Sequence, residues 1–515
     1  MQTEAKKSEK TGLGREILSD PAVPFDPMAT SLAVKERALE LGFDLAGVAP
    51  LGVWKDLEFS RRWVEKGFHG EMRYLESPKR FDPRLVLPSA KSVICVGLVY
   101  NAAGRSQKSE VRSQNEERSA EVLAVGDDGQ RAPENGQGRR GDAARRTYHG
   151  GKGQRTTGNA PVQRPNFEFP FSSLQFPLSA APAPRAWISR YAWGHDYHEI
   201  IRAKLEQLQA ALEELAPGAE TRVFVDTGPI VERAFARFSG IGWMAKNTCI
   251  INQEKGSWFF LGVILTSLEL APDLPAPDRC GSCTACLEAC PTQALVEPYV
   301  MDASRCISYF TIELTGSIPE EFRPKIGGNV FGCDICQDVC PWNSSRQFSV
   351  LSYQPSGLSH QPPAISYQQA TPQQQPSDRR QVPHPATTRV PQFHPMTVSL
   401  VHSRAEGRAV REQLTTDHGP RTTGSAPQTT DNAGFSLFNP ALDALAAINE
   451  DNFRRIFAHS PIKRAKYRGW LRNLCVVMGN SGDPRYVPWL ERAAQHVEPM
   501  VREHAAWALE RLRNK

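Results

Sequence analysis

Hydrophobic positions over residues 30–100 alternate between helical and strand spacing. Apolar residues three or four positions apart indicate amphipathic helices, and a short β-branched run between chain breakers indicates a buried strand. The predicted elements are a helix over 30–42, a strand over 43–50, a helix over 59–67 and a strand over 92–100. Cys95 falls inside the last strand, so we expect it to be a small core side chain rather than a ligand.

The same alternation resumes at Ala186 and continues to residue 270. The predicted elements are a strand near 187–191, a helix over 196–215, a strand over 221–226, a helix over 230–238, and a hairpin that joins 249–251 to 258–266. The glycine-rich stretch 240–248 is predicted to be a loop. The two parts together predict one α/β domain over 30–270, interrupted by residues 101–184.

Two long segments lack any such periodicity. Residues 101–184 are rich in Gly, Ser, Gln, Arg and Glu, and residues 345–434 are rich in Gln, Pro, Thr and Ser. Segments of this composition bury too little apolar surface to offset the entropy lost on ordering. We therefore predict two disordered insertions, and a disordered polar tail over 1–29. The stretch 153–161 is echoed at 419–427, which is typical of a shared low-complexity element; an RNA-binding arm is the alternative.

Residues 435–515 are predicted to be helical. Their apolar positions place helices at 442–457, 470–478, 484–494 and 501–512. Helix pairs of this length, joined by short turns, are typical of HEAT-like repeats. From Asp451 to Lys515 there are 13 lysines and arginines and 6 acidic residues, a net charge of +7, whereas the whole chain carries +5.

Five of these basic residues stand within ten positions of each other. They are Lys463, Arg464, Lys466, Arg468 and Arg472, and we call them the basic patch. A basic patch on a helical repeat indicates binding to a phosphate backbone. A solvated face without a partner is the alternative.

The whole-chain composition is that of an ordinary globular protein. The chain has 515 residues, of which 40% are hydrophobic and 23% charged, and this length predicts about three domains. No run of about 18 apolar residues indicates a membrane span, and the polar stretch 1–26 lacks the apolar centre of a secretory signal. We expect a cytoplasmic protein that acts as a monomer and has no membrane partner.

Eight of the 11 cysteines lie between Cys280 and Pro341, which we call the cluster segment. It opens with C-x2-C-x2-C-x3-C-P, the spacing of bacterial two-cluster ferredoxins, in which the fourth cysteine ligates the other cluster. This crossover rule assigns Cys280, Cys283, Cys286 and Cys340 to one [4Fe–4S] cluster. The second cluster then takes Cys290, Cys333, Cys336 and the remaining cysteine of the segment, Cys306.

Zinc and disulfides are the alternatives for these cysteines. Zinc sites usually lack the C-P ending, and disulfides are rare in a reducing cytosol. We therefore predict a two-cluster ferredoxin-like domain over 271–344.

Two adjacent clusters form an electron relay, which needs a terminal acceptor. Gly240-x-Gly242-x-x-Ala245 formally matches a dinucleotide fingerprint, but it follows a predicted helix rather than a strand. Asp196-Tyr197-His198 begins the cobalamin pattern D-x-H-x-x-G, but residue 201 is isoleucine, so the pattern fails.

Asp226 is the best candidate for an acid or base. It ends a predicted strand before a Thr-Gly-Pro turn, where side chains of α/β sheets project into a cleft. We expect burial to raise its pKa, so that it holds a proton near neutral pH. Its alternative role is the N-cap of the helix over 230–238.

Taken together, several stretches resemble the epoxyqueuosine reductase family, which uses cobalamin and iron–sulfur clusters in the biosynthesis of queuosine in tRNA. They are His69–Met72, Ser189–His198, Val225–Asp226, Gly240–Thr248, Gly256–Gly262, the cluster segment, Cys306–Glu313 and Trp470–Leu474. The resemblance covers residues 30–100, 186–344 and 435–515, and both insertions lie outside it.

The resemblance implies an α+β protein with three parts. These are a reductive-dehalogenase-like, cobalamin-binding α/β domain, the two-cluster ferredoxin domain and the HEAT-like helices. It also implies that a base-off cobalamin lies between the first two, and that electrons from a low-potential donor pass through both clusters to cobalt. The product would be queuosine at the wobble position of tRNA.

The resemblance further implies roles for individual residues. Asp226 matches the family's proton donor. The implied cobalamin contacts are Arg80, Ser189 and Asp226, the main chain around Ile250 and Asn252, and more loosely Leu261 and Ile264. The implied RNA contacts are Tyr309–Glu313 and the basic patch.

Two other functions remain open at this point. A cobalamin-dependent reductive dehalogenase shares the corrin and the two clusters, but usually carries a twin-arginine export signal and has no use for the basic helical region. A ferredoxin-like electron-transfer protein would not need Asp226 or a first domain of this size.

Overall fold

The computed structural model describes residues 25–102, 182–343, 387–398 and 435–514. The first domain contains helices α1 (Pro27–Glu40), α2 (Trp54–Glu65), α3 (Tyr197–Leu215) and α4 (Glu232–Phe238). Its strands are β1 (Leu45–Pro50), β2 (Ser92–Val99), β3 (Trp187–Ile188), β4 (Thr221–Phe224), β5 (Trp243–Met244), β6 (Ile250–Ile251) and β7 (Phe259–Thr266).

The centre of the first domain is a four-stranded sheet in the order β1-β2-β7-β4. All three pairings are antiparallel, with Ser92 opposite Thr266 and Leu45 opposite Gly97. Side chains of β2 alternate between two buried faces. One face packs against α1 and α3, and the other packs against α2 and α4. Cys95 lies fully buried on the second face, as predicted for a core residue.

Two local predictions for this domain need correction. The predicted hairpin between 249–251 and 258–266 does not form, because β6 pairs with β5 while β7 joins the central sheet. The first helix also begins earlier than its apolar pattern indicated. Asp26 caps it by accepting hydrogen bonds from the backbone N–H groups of Met28 and Ala29.

The cluster segment contains little regular structure. Its short elements are α5 (Ala285–Glu288), β8 (Leu295–Glu297), β9 (Val300–Met301), β10 (Asn329–Phe331) and α6 (Ile335–Asp338). Each cluster motif contributes one turn of helix, α5 or α6, and these two turns pack against each other. β10 pairs in parallel with β3, which ties the cluster segment to the first domain.

The C-terminal region is helical, as predicted. It comprises α7 (Leu442–Ala446), α8 (Glu450–Ile456), α9 (Lys466–Ser481), α10 (Val487–Ala493) and α11 (Pro499–Arg513). α9 lies at the centre, packs against α11 and β10, and buries Trp470 completely. One hydrophobic core joins these helices to Trp187 of β3 and Phe331 of β10. The helices are therefore an integral part of the protein body.

Most of the predicted tail and insertions lie outside the described residues. Within the predicted insertion 345–434, however, residues 387–398 are described and packed. β11 (Thr397–Val398) pairs with β12 (Phe435–Ser436), and Phe393 and Met396 are buried. The prediction of a segment without structure therefore does not hold for these twelve residues. The polar composition of 345–434 predicted disorder, but a few apolar residues at 393–398 are enough for this short stretch to pack on the core formed by the rest of the chain.

No helix in the described ranges is long and apolar enough to cross a membrane.

Candidate active site

A cleft of about 770 Å3 lies where the first domain, the cluster segment and the C-terminal helices meet. The first domain lines it with the aromatic residues Tyr100, Tyr191, Tyr197, Phe259 and Phe260. The cluster segment contributes Cys333, and the turn before α9 contributes Lys463 and Arg464. Such a junction, with apolar walls and a few convergent polar groups, is typical of ligand and cofactor sites.

Asp226 reaches this cleft through an unusual turn. After β4 ends, Asp226 takes a positive φ of 52°, a conformation that is uncommon outside glycine but is tolerated best by Asn and Asp. Its backbone N–H donates to Glu232 Oε1 at 2.7 Å, which holds the turn closed. The Asp226 side chain is 51% exposed. It does not cap α4, because that helix follows Val231 without a side-chain cap.

The sequence argument for Asp226 relied on the geometry of parallel α/β sheets. The sheet is antiparallel and β4 is its edge strand, so the turn rather than the sheet topology brings the carboxylate into the cleft.

The charge state of Asp226 also differs from the prediction. Burial alone would raise its pKa. His198, the Tyr197 hydroxyl and Arg464 outweigh that effect and lower the pKa of Asp226 below its usual value. Tyr197 donates to Asp226 Oδ2 at 3.0 Å, and Arg464 Nη1 lies 4.0 Å from the same oxygen. Asp226 is therefore a carboxylate at neutral pH.

His198 is held between two carboxylates. Its Nδ1 donates to Asp196 Oδ1 at 2.7 Å, and its Nε2 lies 3.5 Å from Asp226 Oδ2. Burial lowers the pKa of His198, but the hydrogen bond to Asp196 and the charges of Asp196 and Asp226 outweigh this and raise it to about 9. The ring is therefore an imidazolium at neutral pH. Asp196 is itself buried and pairs with Lys463 Nζ at 2.8 Å.

Glu232 is a further carboxyl group of the cleft wall. Burial and the charge of Asp226 raise the pKa of Glu232 to about 8. The two carboxyl groups, which interact through the turn, thus hold opposite protonation states at neutral pH. Pairs of groups whose pKa values are pushed apart in this way are typical of sites that transfer protons.

The cluster cysteines fall into two neighbouring groups. Burial and the nearby Cys249, Cys280 and Cys286 thiols raise the pKa of Cys340 to about 12. In the other group, burial and Cys290 raise the pKa of Cys306, and Cys336 neighbours Cys333 and Cys306. Cys249, which the crossover assignment leaves out, also lies beside Cys336 and Cys340. The crossover assignment therefore stays a prediction.

Among the described residues, no three His, Cys, Asp or Glu side chains are grouped so that they could hold one metal ion. The first group reaches the surface at the exposed Cys283, while the second borders the cleft through Cys333.

Comparisons with known proteins identify the family. Residues 279–343 match the model of the 4Fe-4S double cluster binding domain, and residues 171–227 match the model "Epoxyqueuosine reductase QueG, DUF1730". Epoxyqueuosine reductase of Pseudomonas aeruginosa is 31% identical over 501 residues, which cover 96% of this chain and 98% of that protein. The chain belongs to the epoxyqueuosine reductase family.

Solved structures of epoxyqueuosine reductase share the fold. A selenomethionine-labelled epoxyqueuosine reductase aligns with a TM-score of 0.56 at 25% identity, covering 93% of this chain and 89% of that one. An epoxyqueuosine reductase with an epoxyqueuosine-modified tRNA stem loop aligns with the same TM-score of 0.56 at 24% identity and the same coverage.

Four of the predicted cobalamin contacts of this epoxyqueuosine reductase family member line the cleft. They are Ser189, Asp226, Ile250 and Leu261. Arg80 is buried behind the cleft wall, where it donates to the Ile230 carbonyl at 3.3 Å and its Nε has no hydrogen-bond partner among the described residues.

Two other predicted contacts, the main chain of Asn252 and the side chain of Ile264, are not among the residues that line the cleft. Asn252 uses its side chain to hold its own loop, donating to the Ile241 carbonyl at 2.6 Å. Ile264 is fully buried on the face of the sheet that packs against α1 and α3. The alternation of β7 places Leu261 and Ile264 on opposite faces of the strand.

The basic patch is smaller than the sequence indicated. Arg472 is 1% exposed and donates to the carbonyls of Leu314 and Gly316 at 2.8 and 2.7 Å. It anchors α9 to the cluster segment and cannot contact RNA. Arg464 pairs with Glu313 at 2.8 Å. In the predicted RNA-contacting stretch 309–313, the first three residues are buried.

Sequence reasoning missed three cleft residues. His198 was considered only as part of a cobalamin pattern, although a carboxylate two residues before a histidine is itself a signal for a charged imidazole. Glu232 gave no sequence signal beyond an acid in the first turn of a helix. Cys249 lines the cleft beside Cys336, and lies outside the cysteine-rich stretch that drew attention.

Proposed function

We propose that this chain reduces epoxyqueuosine to queuosine at the wobble position of tRNA, with electrons passing through two [4Fe–4S] clusters to a cobalamin in the cleft. The observation that carries the proposal is the family relationship over nearly the whole chain. It is supported by a cleft that has Asp226 on one wall and the cluster cysteine Cys333 on another.

The cleft suits a large, partly apolar cofactor. Its aromatic wall offers flat surfaces, of which Tyr197 and Phe260 are stacked with centroids 4.1 Å apart. Ser189, Ile250 and Leu261 would hold the corrin, with Asp226 at its substrate side. When bound, cobalamin would supply the low-potential metal centre that takes electrons from the clusters and reduces the epoxide.

The positions of the two cysteine groups support an order of electron transfer. Cys283 is exposed, and the loop Gly281–Thr284 around it is exposed as well. Cys333 of the other group borders the cleft. We infer that a low-potential donor delivers electrons at the first group, and that the second group serves the cleft.

Residues of the chain itself would supply the protons of the reaction. Each turnover converts an epoxide to an alkene and water, which consumes two electrons and two protons. Asp226 is the carboxyl group positioned to protonate the departing oxygen, since its side chain projects into the cleft. Glu232 keeps that side chain in place by closing the turn behind it.

The C-terminal region supports binding of a tRNA arm. We infer that α7–α11 form HEAT-like repeats, because α9 and α10 both pack against α11. The turn before α9 borders the cleft, so an RNA strand held by Lys466 and Arg468 would pass its mouth. A tRNA substrate and clusters that need reducing conditions favour a cytoplasmic protein. We infer that the protein acts as a monomer, because the residues proposed for the site all come from one copy of the chain.

An anaerobic assay tests the proposal. Reconstituted protein is given cobalamin, a low-potential reductant and tRNA bearing epoxyqueuosine, and the nucleoside is read by mass spectrometry. The loss of one oxygen mass is expected with cobalamin and not without it. Equal conversion without cobalamin would contradict the proposed role of the corrin. No conversion by a protein that holds both clusters would favour an electron-transfer role.

A further inference from the structure

In the sequence Asp196-Tyr197-His198, the two charged residues have no role in the function as stated so far. The sequence matches no cofactor pattern, yet α3 begins at Tyr197 and places His198 on the cleft wall. At the same time, the proposed chemistry needs protons while Asp226 is a carboxylate at neutral pH. A proton must therefore reach Asp226 from a neighbouring group.

Of the two protonated groups beside Asp226, His198 faces its carboxylate oxygen, whereas Glu232 accepts from its backbone N–H. The Nε2 of His198 is 3.5 Å from Asp226 Oδ2, is buried, and has no hydrogen bond to any of the described residues. Its Nδ1 is fixed by Asp196 at 2.7 Å, which sets the ring plane. A histidine that only braced the start of α3 would need the Asp196 contact alone. The second nitrogen points instead at the candidate catalytic carboxylate.

We propose that Asp196 and His198 form a proton relay that supplies Asp226. His198 donates the proton on Nε2 to Asp226 Oδ2, and Asp226 passes it to the epoxide oxygen as a carbon–oxygen bond breaks. The two electrons of the turnover come from the low-potential donor, and the oxygen leaves as water after it takes a second proton by the same route. The relay rests on the function proposed above.

The direction of transfer follows from the basicity of the groups. Asp226 holds a proton only weakly, but the oxygen released from an epoxide is an alkoxide, which is far more basic than either Asp226 or His198. The proton therefore moves onward as the bond breaks. Asp196 stabilises the imidazolium, so His198 is a positioning and proton-supplying residue rather than one that touches substrate.

The charges that face His198 come from three elements. Asp196 precedes α3, Asp226 follows β4, and Lys463 and Arg464 lie on the turn before α9. Lys463 contacts Asp196 at 2.8 Å, and Arg464 lies 4.0 Å from Asp226. The two cations oppose the two carboxylates, and the net effect still favours the charged ring.

The first test measures the His198 ring directly and needs no substrate. The intact protein is labelled at its histidines, and the pKa of each ring is followed by NMR, with His198 assigned from the spectrum of His198→Gln. We expect a His198 pKa near 9, and a fall of at least about one unit in Asp196→Asn, which removes one carboxylate but keeps a good helix N-cap. A His198 pKa near that of a free histidine would overturn the relay.

The second test measures single-turnover deoxygenation against pH with saturating tRNA. We expect the rate of the native protein to fall above a pH near 9. In Asp196→Asn this fall should begin at a lower pH. In His198→Gln the rate should drop about 100-fold and should no longer fall at alkaline pH. His459→Gln is the matched control. The exposed ring of His459 pairs at 3.2 Å with Glu199, which lies on α3 like His198. His459 does not line the cleft.

The two tests separate the relay from the proposed function. If the native protein does not convert epoxyqueuosine, the function falls, while the NMR result still decides whether the charged ring exists. If the native protein converts it and the His198 variants keep the native rate and pH profile, the relay is wrong and the function stands.

Discussion

Lys466 and Arg468 are predicted to carry the tRNA contact of the basic patch. Of its five members, Arg472 is buried, Lys463 pairs with Asp196 and Arg464 pairs with Glu313. Lys466 and Arg468 have no ion-pair partner among the described residues, so their charges remain available to phosphates. The perturbation is the double variant Lys466→Ala/Arg468→Ala.

The size of the effect follows from counterion release. Each phosphate contact contributes about 0.7 to 0.9 to the slope of log Kd against log salt concentration. Loss of two contacts therefore lowers that slope by about 1.4 to 1.8. The ratio of the Kd of the variant to the Kd of the native protein should then decrease about tenfold between roughly 50 and 200 mM salt.

The assay is fluorescence anisotropy with a labelled tRNA stem loop over a series of salt concentrations. The control is Arg37→Ala/Lys91→Ala, which removes the same net charge from partly exposed positions on the first domain. An unchanged slope in the patch variant, or an equal change in the control, would show that the RNA is bound elsewhere.

Three further predictions concern stability and turnover. Arg472→Ala should lower the free energy of unfolding by about 3 to 6 kcal/mol, because the partly buried carbonyls of Leu314 and Gly316 lose a charged donor worth about 1.5 to 3 kcal/mol each. Urea denaturation compares this variant with Arg468→Ala on the same helix. Asp226→Asn should keep iron content and cobalamin absorbance but lose turnover, and native activity in that variant would remove Asp226 from the mechanism. The folded pKa of His198 is raised, so its contribution to stability is full below the unfolded pKa and is lost as pH rises through about 9. The stability difference between native protein and His198→Gln should therefore shrink across that range, and a constant difference would contradict the assigned charge.

Much of the fold was readable from periodicity and spacing. The buried strand at 92–99 and the helix at 197–215 were predicted because strong apolar patterns decide such elements locally. The pairing of β6 was not predictable, since a two-residue strand can pair with several neighbours. The docking of residues 387–398 was missed because it depends on a core built from distant parts of the chain.

The candidate site was only partly readable. The cysteine spacing assigned the two groups because cluster ligation imposes a fixed local pattern. Asp226 was found by position, but its charge state was predicted in the wrong direction. That state depends on His198, Tyr197 and Arg464, which come from elements far apart in sequence. Arg472 looked like its basic neighbours, and only packing reveals that it is buried.

The central claim is that this chain removes the epoxide oxygen with electrons delivered through a corrin held in the cleft. The most direct measurement is an anaerobic single turnover of reduced, cobalamin-loaded protein with stoichiometric epoxyqueuosine tRNA. Cobalt oxidation is followed by absorbance, and queuosine by mass spectrometry, in the same samples. The account predicts that both signals appear at one rate and that both slow together in Asp226→Asn. Queuosine formed while the cobalt signal stays constant, or cobalt oxidised without queuosine, would contradict it.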